Sequence, residues 1–494
     1  MGIRREMTRR GFLAGVAAAG GALAARAAQA APAASTRPTA LSEAQEREKV
    51  EAALPDRAPA SPAKPRKLLI FDLNVGYGGH PSARTANLAF TLMGRKTGAF
   101  ETTVSKDPQV FRPESLRQFD AVFFNNTVGN LFQDADLRGS LVDFVYGGGL
   151  MGVHGTTVAF TRWTERARED WPEFGVMLGA RGANHRASDE HVFIKLDDPH
   201  HPVNRPFGGE GFDYRSEFFR VHDPYSRRRV RVLFSIDTTK TDMNQGPAYG
   251  KLVRADGDYA LAWVRSYGRG RVFQCTIAHA PSVFWDRRML EFYLGAAQFA
   301  LGDLAAPAAP SAMLMPAVRA QEKLGWRVGL EAGAGDGEAS LLDSAERAAR
   351  MGLLYFGGVL GRPVGQDVQA PFGPGLTDDQ RRQVRLKLDA VGVRLLACTV
   401  PQLPADPAGW RAVLEFARKM GIEAIVTPPP AEADAGAVAR LCREYDVALG
   451  GVAPADSAES LKEIVRLRVK PVMLSVKDAK GVEQVNRAAI EAAR

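Results

Sequence analysis

Gly147-Gly148-Gly149-Leu150-Met151-Gly152-Val153-His154-Gly155-Thr156-Thr157 reads as a short apolar strand running into a sharp turn hemmed by small residues. In a nucleophile elbow the central side chain is thrust out at the end of a sheet, and flanking glycines relieve the crowding. The central residue here is His154. Such a strand belongs to an α/β sheet with its chemistry at the carboxyl edge. An imidazole at that position excludes thiolate chemistry and leaves acid/base and metal chemistry open.

The sequence on either side of the turn fits this reading. Upstream come the apolar run Lys67 to Leu73, a glycine-containing loop with His80, and a helical pattern from Ala83 to Gly94. The runs Phe100 to Val104, Ala121 to Asn125 and Leu150 to Val153 alternate with helical segments such as Ala135 to Tyr146. This alternation predicts a mostly parallel sheet flanked by helices, with His80 and His154 at its carboxyl edge. The runs His191 to Leu196, Arg231 to Ile236, Tyr259 to Val264 and Arg271 to Ile277 either extend that sheet or add an antiparallel edge. From about Leu324 a second strand and helix rhythm continues to the end of the chain and accommodates six βα units. A closed barrel takes eight, so this part reads as an incomplete TIM-barrel-like α/β domain or an open sheet.

Proline and alanine mark the boundaries. Residues 31–66 form a Pro/Ala-rich linker interrupted by a short exposed helix from Ser42 to Val50, and residues 303–322 form a second linker. Two domains follow, at 67–302 and 323–494. Residues 1–30 match a twin-arginine signal peptide, with Thr8-Arg9-Arg10-Gly11-Phe12-Leu13 as its motif and Ala28-Gln29-Ala30 as the cleavage site. The expected location is therefore periplasmic or secreted. The stretch Gly11 to Ala25 is too short and too poor in large apolar residues for stable membrane insertion after cleavage.

The net charge of +8 falls to +4 without the five arginines and one glutamate of the leader, and no basic run interleaves with aromatics. That pattern argues against a nucleic-acid partner. Cys275, Cys398 and Cys442 lie in or beside apolar runs and read as buried thiols, with a Cys398–Cys442 bridge left open. All eight histidines (80, 154, 185, 191, 200, 201, 222 and 279) fall in the first domain. His191, His200 and His222 taken singly read as surface or structural residues.

Several segments in order carry a more specific pattern: the elbow itself, Gly179-Ala180-Arg181-Gly182-Ala183-Asn184-His185, Asp198-Pro199-His200-His201-Pro202 and Ser216-Glu217-Phe218-Phe219. Leu261-Ala262-Trp263, Tyr267 to Phe273 and Ala278-His279 complete it. The elbow alone resembles that of class I glutamine amidotransferases with the cysteine replaced. The whole set resembles the ThuA-like family, named for trehalose utilisation, whose fold is class I glutamine amidotransferase-like (flavodoxin-like). The resemblance implies that His154, His185, Glu217 and His279 converge as catalytic groups on one pocket, with His80 as a further candidate. Three imidazole nitrogens and a carboxylate oxygen there make a divalent-metal site, zinc first, and the alternative is that the imidazoles shuttle protons next to a sugar carbonyl with Glu217 orienting one ring. On the substrate side the candidates are His80, Phe218 and Trp263, and the aromatics Phe218, Phe219, Trp263 and Trp285 are equally suited to stacking on a sugar or packing in the core. The chain departs from the family at Phe218-Phe219, where Trp-Tyr is usual, and at Ala278, where glycine is common.

In the second domain, Asp378-Asp379-Gln380-Arg381-Arg382, Val391 to Leu396 and Trp410 to Ile422 are similar to xylose isomerase-like barrels of the sugar phosphate isomerase/epimerase superfamily. Those barrels hold a metal at their strand ends. Thr427-Pro428-Pro429-Pro430 and Leu449-Gly450-Gly451-Val452 stand where the ligands would be, so this domain is expected to pack against or shield the first, or to bind a partner, without catalysis.

The function these readings favour is an exported enzyme of carbohydrate catabolism acting on a keto-sugar or disaccharide. It would be a lyase, hydrolase or isomerase with a His/Glu pocket and no organic cofactor, and not a cysteine-dependent amidotransferase. The alternative is a non-catalytic carbohydrate-binding or scaffolding protein made of two inactive enzyme-like domains.

Overall fold

Eleven strands shape the first part of the chain: β1 (Lys67–Phe71), β2 (Glu101–Ser105), β3 (Ala121–Asn125), β4 (Gly149–Val153), β5 (Arg181–Asn184), β6 (Glu190–Leu196), β7 (Phe212–Ser216), β8 (Arg220–His222), β9 (Arg231–Ile236), β10 (Ala260–Tyr267) and β11 (Gly270–Cys275). Nine of them form one sheet in the order β2-β1-β3-β4-β11-β10-β9-β6-β7. The first five are mutually parallel. The last four join antiparallel, so the later runs extend the same sheet. β5 and β8 pair separately in a short antiparallel ladder. The computed structural model describes residues 41–162, 169–249, 252–333, 340–455, 457–468 and 470–494. The twin-arginine leader, its cleavage site and residues 31–40 of the linker lie outside the described residues.

β3 and β4 are buried at every position, as expected of parallel strands covered on both faces. The helix Arg287–Leu301 crosses so close to β4 that a Cβ at Gly149 would lie 2.2 Å from the Ala300 carbonyl oxygen. Asp286 caps that helix by accepting from the backbone N–H groups of Arg288 and Met289, and Gly302 ends it in the left-handed conformation.

The linker expected to carry an exposed helix is instead a packed strap. Val50 and Ala53 of the helix Glu43–Ala53 are buried, and Glu46 accepts from Thr85 and Arg84. Further on, the backbone of Ala60 exchanges two hydrogen bonds with the Gln298 amide at 2.9 and 2.6 Å, and Arg66 grips Asp303 through two nitrogens.

The second part of the chain builds a seven-stranded, all-parallel half-barrel sheet. In ladder order its strands are Ala448–Leu449, Ala424–Val426, Arg394–Thr399, Tyr355–Val359, Val328–Leu330, Met473–Val476 and Val452–Pro454. The two outermost strands are consecutive in the chain, separated only by Gly450 and Gly451 at φ +81° and +82°, a turn that L side chains resist. Cys275, Cys398 and Cys442 are all free and buried, which settles the bridge left open by the sequence.

Residues 43–494 form one compact unit in which each large sheet keeps its own apolar core. The two parts meet through ion pairs: Arg229 to Asp389 at 3.0 Å, Arg382 to Glu173 at 2.6 Å and Arg231 to Glu322 at 2.6 Å, with Arg265 also on Asp389. Arg385 lies over the Tyr146 ring at 4.5 Å. Tyr146 lies in the last turn of the helix that leads into β4, and Asp389 in the last turn of the helix that leads into the strand Arg394–Thr399, so the parallel strands of both sheets face each other with their amino edges. The second part therefore does not shield the carboxyl edge of the first sheet. Among the described residues no helix is long and apolar enough to cross a membrane.

Candidate functional site

Three parallel strands and one loop from the antiparallel side bring the site together. His80 follows β1, His154 ends β4, His279 follows β11, and Glu217 follows β7. β4 passes directly into the short 3-10 helix His154–Val158, and His154 takes φ +44°, a left-handed conformation that costs a residue with a Cβ roughly 1–2 kcal/mol. This is the strained elbow that the glycine pattern implied. Its neighbours have to be small: a Cβ at Gly152 would lie 2.3 Å from Gln274 Oε1, and one at Gly155 2.8 Å from His80 Cε1. The Thr156 hydroxyl, donating to the Phe124 carbonyl at 2.8 Å, ties the turn to β3.

The elbow projects the His154 ring beyond the sheet, but the ring is fully buried, because His80, Phe219 and Glu217 close over it. Nδ1 of His154 lies 2.8 Å from the Thr276 carbonyl, an acceptor, so Nδ1 carries the proton. Nε2 then faces Glu217 Oε1 at 3.2 Å. A neutral imidazole in this tautomer sets a lone pair against a carboxylate, and only a proton or a cation between them makes the contact favourable. His279 Nε2 approaches the other carboxylate oxygen at 3.6 Å, and His185 Nδ1 approaches it at 3.3 Å. One ligand atom from each of His80, His154, Glu217 and His279 lies within 4.8 Å of the other three. Nδ1 of His80 is buried with no hydrogen-bond partner.

The electrostatics follow from this crowding. Burial, and then the neighbouring His154 and His279, push the His80 imidazole down to about 2, so it is neutral at physiological pH. His279 is lowered as well, by burial first and then by His154. Burial pushes the Glu217 carboxyl up, but the imidazoles facing it, His154 first and then His279 and His185, outweigh it and hold Glu217 below its usual range. The nitrogens of His80, His154 and His279 around the Glu217 carboxylate make a three-nitrogen, one-oxygen donor set, which suits zinc and other divalent metals.

The structure alters the expected membership of the site. His80, expected on the substrate side, belongs to the compact donor set, whereas His185 stands outside it. His185 Nδ1 donates to the Arg186 carbonyl at 2.7 Å, so its Nε2 keeps the lone pair. Phe218 and Trp263, also expected near substrate, are both fully buried in apolar clusters. The Trp263 indole donates to the Leu178 carbonyl at 2.8 Å, because both faces of β10 are covered and leave no open ring face. Trp285 sits against the core under Lys49, 5.3 Å from its centroid.

Phe219 does border the cluster, with its ring centroid 4.9 Å from that of His154 and 5.2 Å from that of His185. Two tyrosines escaped the sequence reading: Tyr77, 5.0 Å from His80, and Tyr249, 5.4 Å from His185. The signal for Tyr77 was its place in Gly76-Tyr77-Gly78-Gly79-His80. Also unanticipated is the buried pair behind Glu217. Arg220 binds both oxygens of Glu190 at 2.6 and 2.9 Å and donates to the Phe218 carbonyl at 3.1 Å, which fixes the backbone that carries Glu217.

The remaining histidines are structural or on the surface. His201 is buried between the Pro307 carbonyl and the Val203 N–H, His191 pairs with Asp213 at 3.1 Å, and His200 and His222 are exposed.

Residues 67–300 match the family model ThuA, described as trehalose utilisation. Among solved structures, a protein described as ThuA-like from Bacteroides uniformis is 20% identical, with 51% of this chain and 99% of that one covered at a TM-score of 0.40. An exo-beta-1,4-mannosidase from an Opitutaceae bacterium is 14% identical, covering 48% of this chain and 36% of its own at a TM-score of 0.27. A beta-galactosidase from Halorubrum lacusprofundi is 13% identical, covering 52% and 33% at a TM-score of 0.27. No curated protein matches the chain by sequence. The sheet, the elbow and the family match together make residues 67–300 a ThuA family domain.

Proposed function

We propose that the ThuA domain is a carbohydrate-processing enzyme whose His80, His154, Glu217 and His279 hold a divalent cation, zinc first. One observation carries the reading: with its Nδ1 proton committed to the Thr276 carbonyl, His154 turns Nε2 onto Glu217 at 3.2 Å, an arrangement that calls for a positive charge between them. When bound, such a cation polarises a carbonyl or hydroxyl oxygen. The chain's own groups do the rest. His185, whose Nδ1 is held by the Arg186 carbonyl, is placed to take a proton from the substrate on Nε2, and the Glu217 carboxylate 3.3 Å from its ring stabilises the imidazolium that forms. Phe219 forms the apolar wall beneath the two imidazoles, and Tyr77 and Tyr249 flank them.

The family's description supports a sugar as the substrate class, with a keto-sugar or disaccharide favoured. We place the protein in the periplasm on the strength of the twin-arginine pattern, and we assign the second domain a non-catalytic role because Thr427-Pro428-Pro429-Pro430 and Leu449-Gly450-Gly451-Val452 stand where barrel ligands would be.

The test is the metal content of protein isolated from the periplasm, alongside His154→Ala and His279→Ala. The reading expects close to one zinc, manganese or iron per chain, lost in both variants. A metal-free wild type that binds sugar without turnover would overturn it in favour of a carbohydrate-binding protein.

A further inference from the structure

The edge of the first sheet opposite the His/Glu cluster holds a second feature that the proposed chemistry does not use. Where the amino edges of the two sheets meet there is a cleft of about 770 Å³, entered beside Gly147 and Gly148 at the start of β4 and beside Arg269 and Arg271 at the start of β11. His154 and His279 lie beyond the other ends of these same strands. A five-residue strand separates the two sites by roughly 17 Å at about 3.3 Å per residue.

Eight arginine and lysine side chains line the cleft against three aspartates. The aspartates are already engaged: Asp120 by Arg66 and Lys64, Asp143 by Arg385, and Asp446 by Arg269. Among the described residues, Arg117, Arg271 and Arg418 have no carboxylate partner. Arg271 is the telling one, because it is partly buried and its guanidinium packs on the backbone of Gly302, where a Cβ would lie 2.7 Å from Nη2. Its one hydrogen-bond acceptor among the described residues is the Ala300 carbonyl, 3.3 Å from Nε, and the acid whose charge reaches it, Asp303, is paired with Arg66. A guanidinium taken partly out of water without a counter-charge destabilises the fold that holds it, and such a group is kept where a ligand supplies the charge.

We propose that this cleft is a binding site for a small multivalent oxyanion, a molecule bearing two or more phosphate, sulfate or carboxylate groups, with Arg271 at its floor and Arg117 and Arg418 on its walls. Arginine presents planar, paired donors that match such groups. The volume accommodates a ligand of oligosaccharide size. The surrounding field points the same way: burial, and then Arg66, Arg269 and Arg394, push the Arg271 guanidinium below its usual range. An anion there would touch residues of both parts of the chain and brace their junction.

The test is calorimetric titration of the full chain with inorganic tripolyphosphate, citrate and a sulfated disaccharide, repeated for Arg271→Gln and Arg418→Gln. The expected result is saturable binding of at least one probe, weakened by added salt, with Kd raised tenfold or more in Arg271→Gln and at least threefold in Arg418→Gln, and metal content unchanged in both. Which probe binds identifies the oxyanion. In thermal unfolding without ligand, Arg271→Gln should melt no lower than wild type, and the stabilisation that the anion gives wild type should vanish in the variant. Failure of all three probes to bind saturably, or wild-type binding in both variants, would overturn the proposal.

Discussion

Replacing Arg220 by Met separates what holds the fold from what holds the site. Arg220 and Glu190 are both buried and form a bidentate pair at 2.6 and 2.9 Å, and one nitrogen of the same guanidinium also donates to the Phe218 carbonyl at 3.1 Å. Removing the arginine alone strands the Glu190 carboxylate in the core, a loss of about 3–5 kcal/mol, and forfeits the bond to Phe218, worth about 1 kcal/mol. Urea unfolding of Arg220→Met should therefore show a loss of about 4–6 kcal/mol. In the double variant Glu190→Leu/Arg220→Met no charge is stranded, and stability should return to within about 1–2 kcal/mol of wild type. The two proteins should nevertheless share a defect at the metal site. The clamp on the residue following Glu217 is gone in both, and loss of a group that orients a ligand weakens metal binding by roughly 10–100-fold. Urea midpoints and competitive zinc titration read the two effects separately. Wild-type zinc affinity in the double variant, or a loss below about 1 kcal/mol in Arg220→Met, would refute the reasoning.

Three further outcomes follow from single contacts. Burial pushes His201 down from 6.5 to about 4. The unfolded chain thus binds a proton there that the folded chain refuses, and the neutral ring's stabilisation is lost as pH falls from 6.5 to 4, by about 3 kcal/mol in all. Urea midpoints of His201→Gln should lack that part of the acid slope, and an identical slope would count against it. Gly155→Ala places a Cβ 2.8 Å from His80 Cε1 and 3.0 Å from Val128 Cγ2, so it should cost about 1–3 kcal/mol and weaken metal binding by displacing His80, as zinc titration can check. Asp389→Ala leaves Arg229 and Arg265 without their shared acid. It should lower the thermal midpoint without changing metal content, since the junction lies at the opposite edge from the donor set.

Most of the first sheet was legible because its parallel strands are written as unbroken apolar runs, Leu68-Leu69-Ile70-Phe71 and Ala121-Val122-Phe123-Phe124 among them. β5, β7 and β8 were not. β7 reads Phe212-Asp213-Tyr214-Arg215-Ser216, an edge strand with charges on its outer positions, and β5 and β8 are too short for any period to show. The helix Glu43–Ala53 looked exposed because Val50 is its one large apolar residue, and much of its attachment runs through Glu46 to Thr85 and Arg84.

Within the site, His154 was readable from the glycines that its strained φ demands. His80 was harder to place, since its closeness to Gly155 depends on how the loop after β1 folds across β3 and β4, which no local pattern encodes. Phe218 and Trp263 misled for the opposite reason. They adjoin motif residues in sequence, but the alternation of side chains along an extended backbone sends Phe218 away from Glu217, and β10 is covered on both faces.

The junction of the two halves constrains what the second can contribute. Amino edge meets amino edge, so the carboxyl edge of each parallel set points away from its neighbour, and a βα-type sheet carries its chemistry at the carboxyl edge. Among the described residues, no side chain of 323–494 is therefore placed to complete the His/Glu cluster or to close the mouth beside Tyr77 and Tyr249. What the second half can alter is the base of β4 and β11, the two strands whose far ends hold His154 and His279. An influence of one half on the other must travel along those strands, and a ligand in the arginine cleft, touching Gly148 and Arg271, would sit where that influence begins.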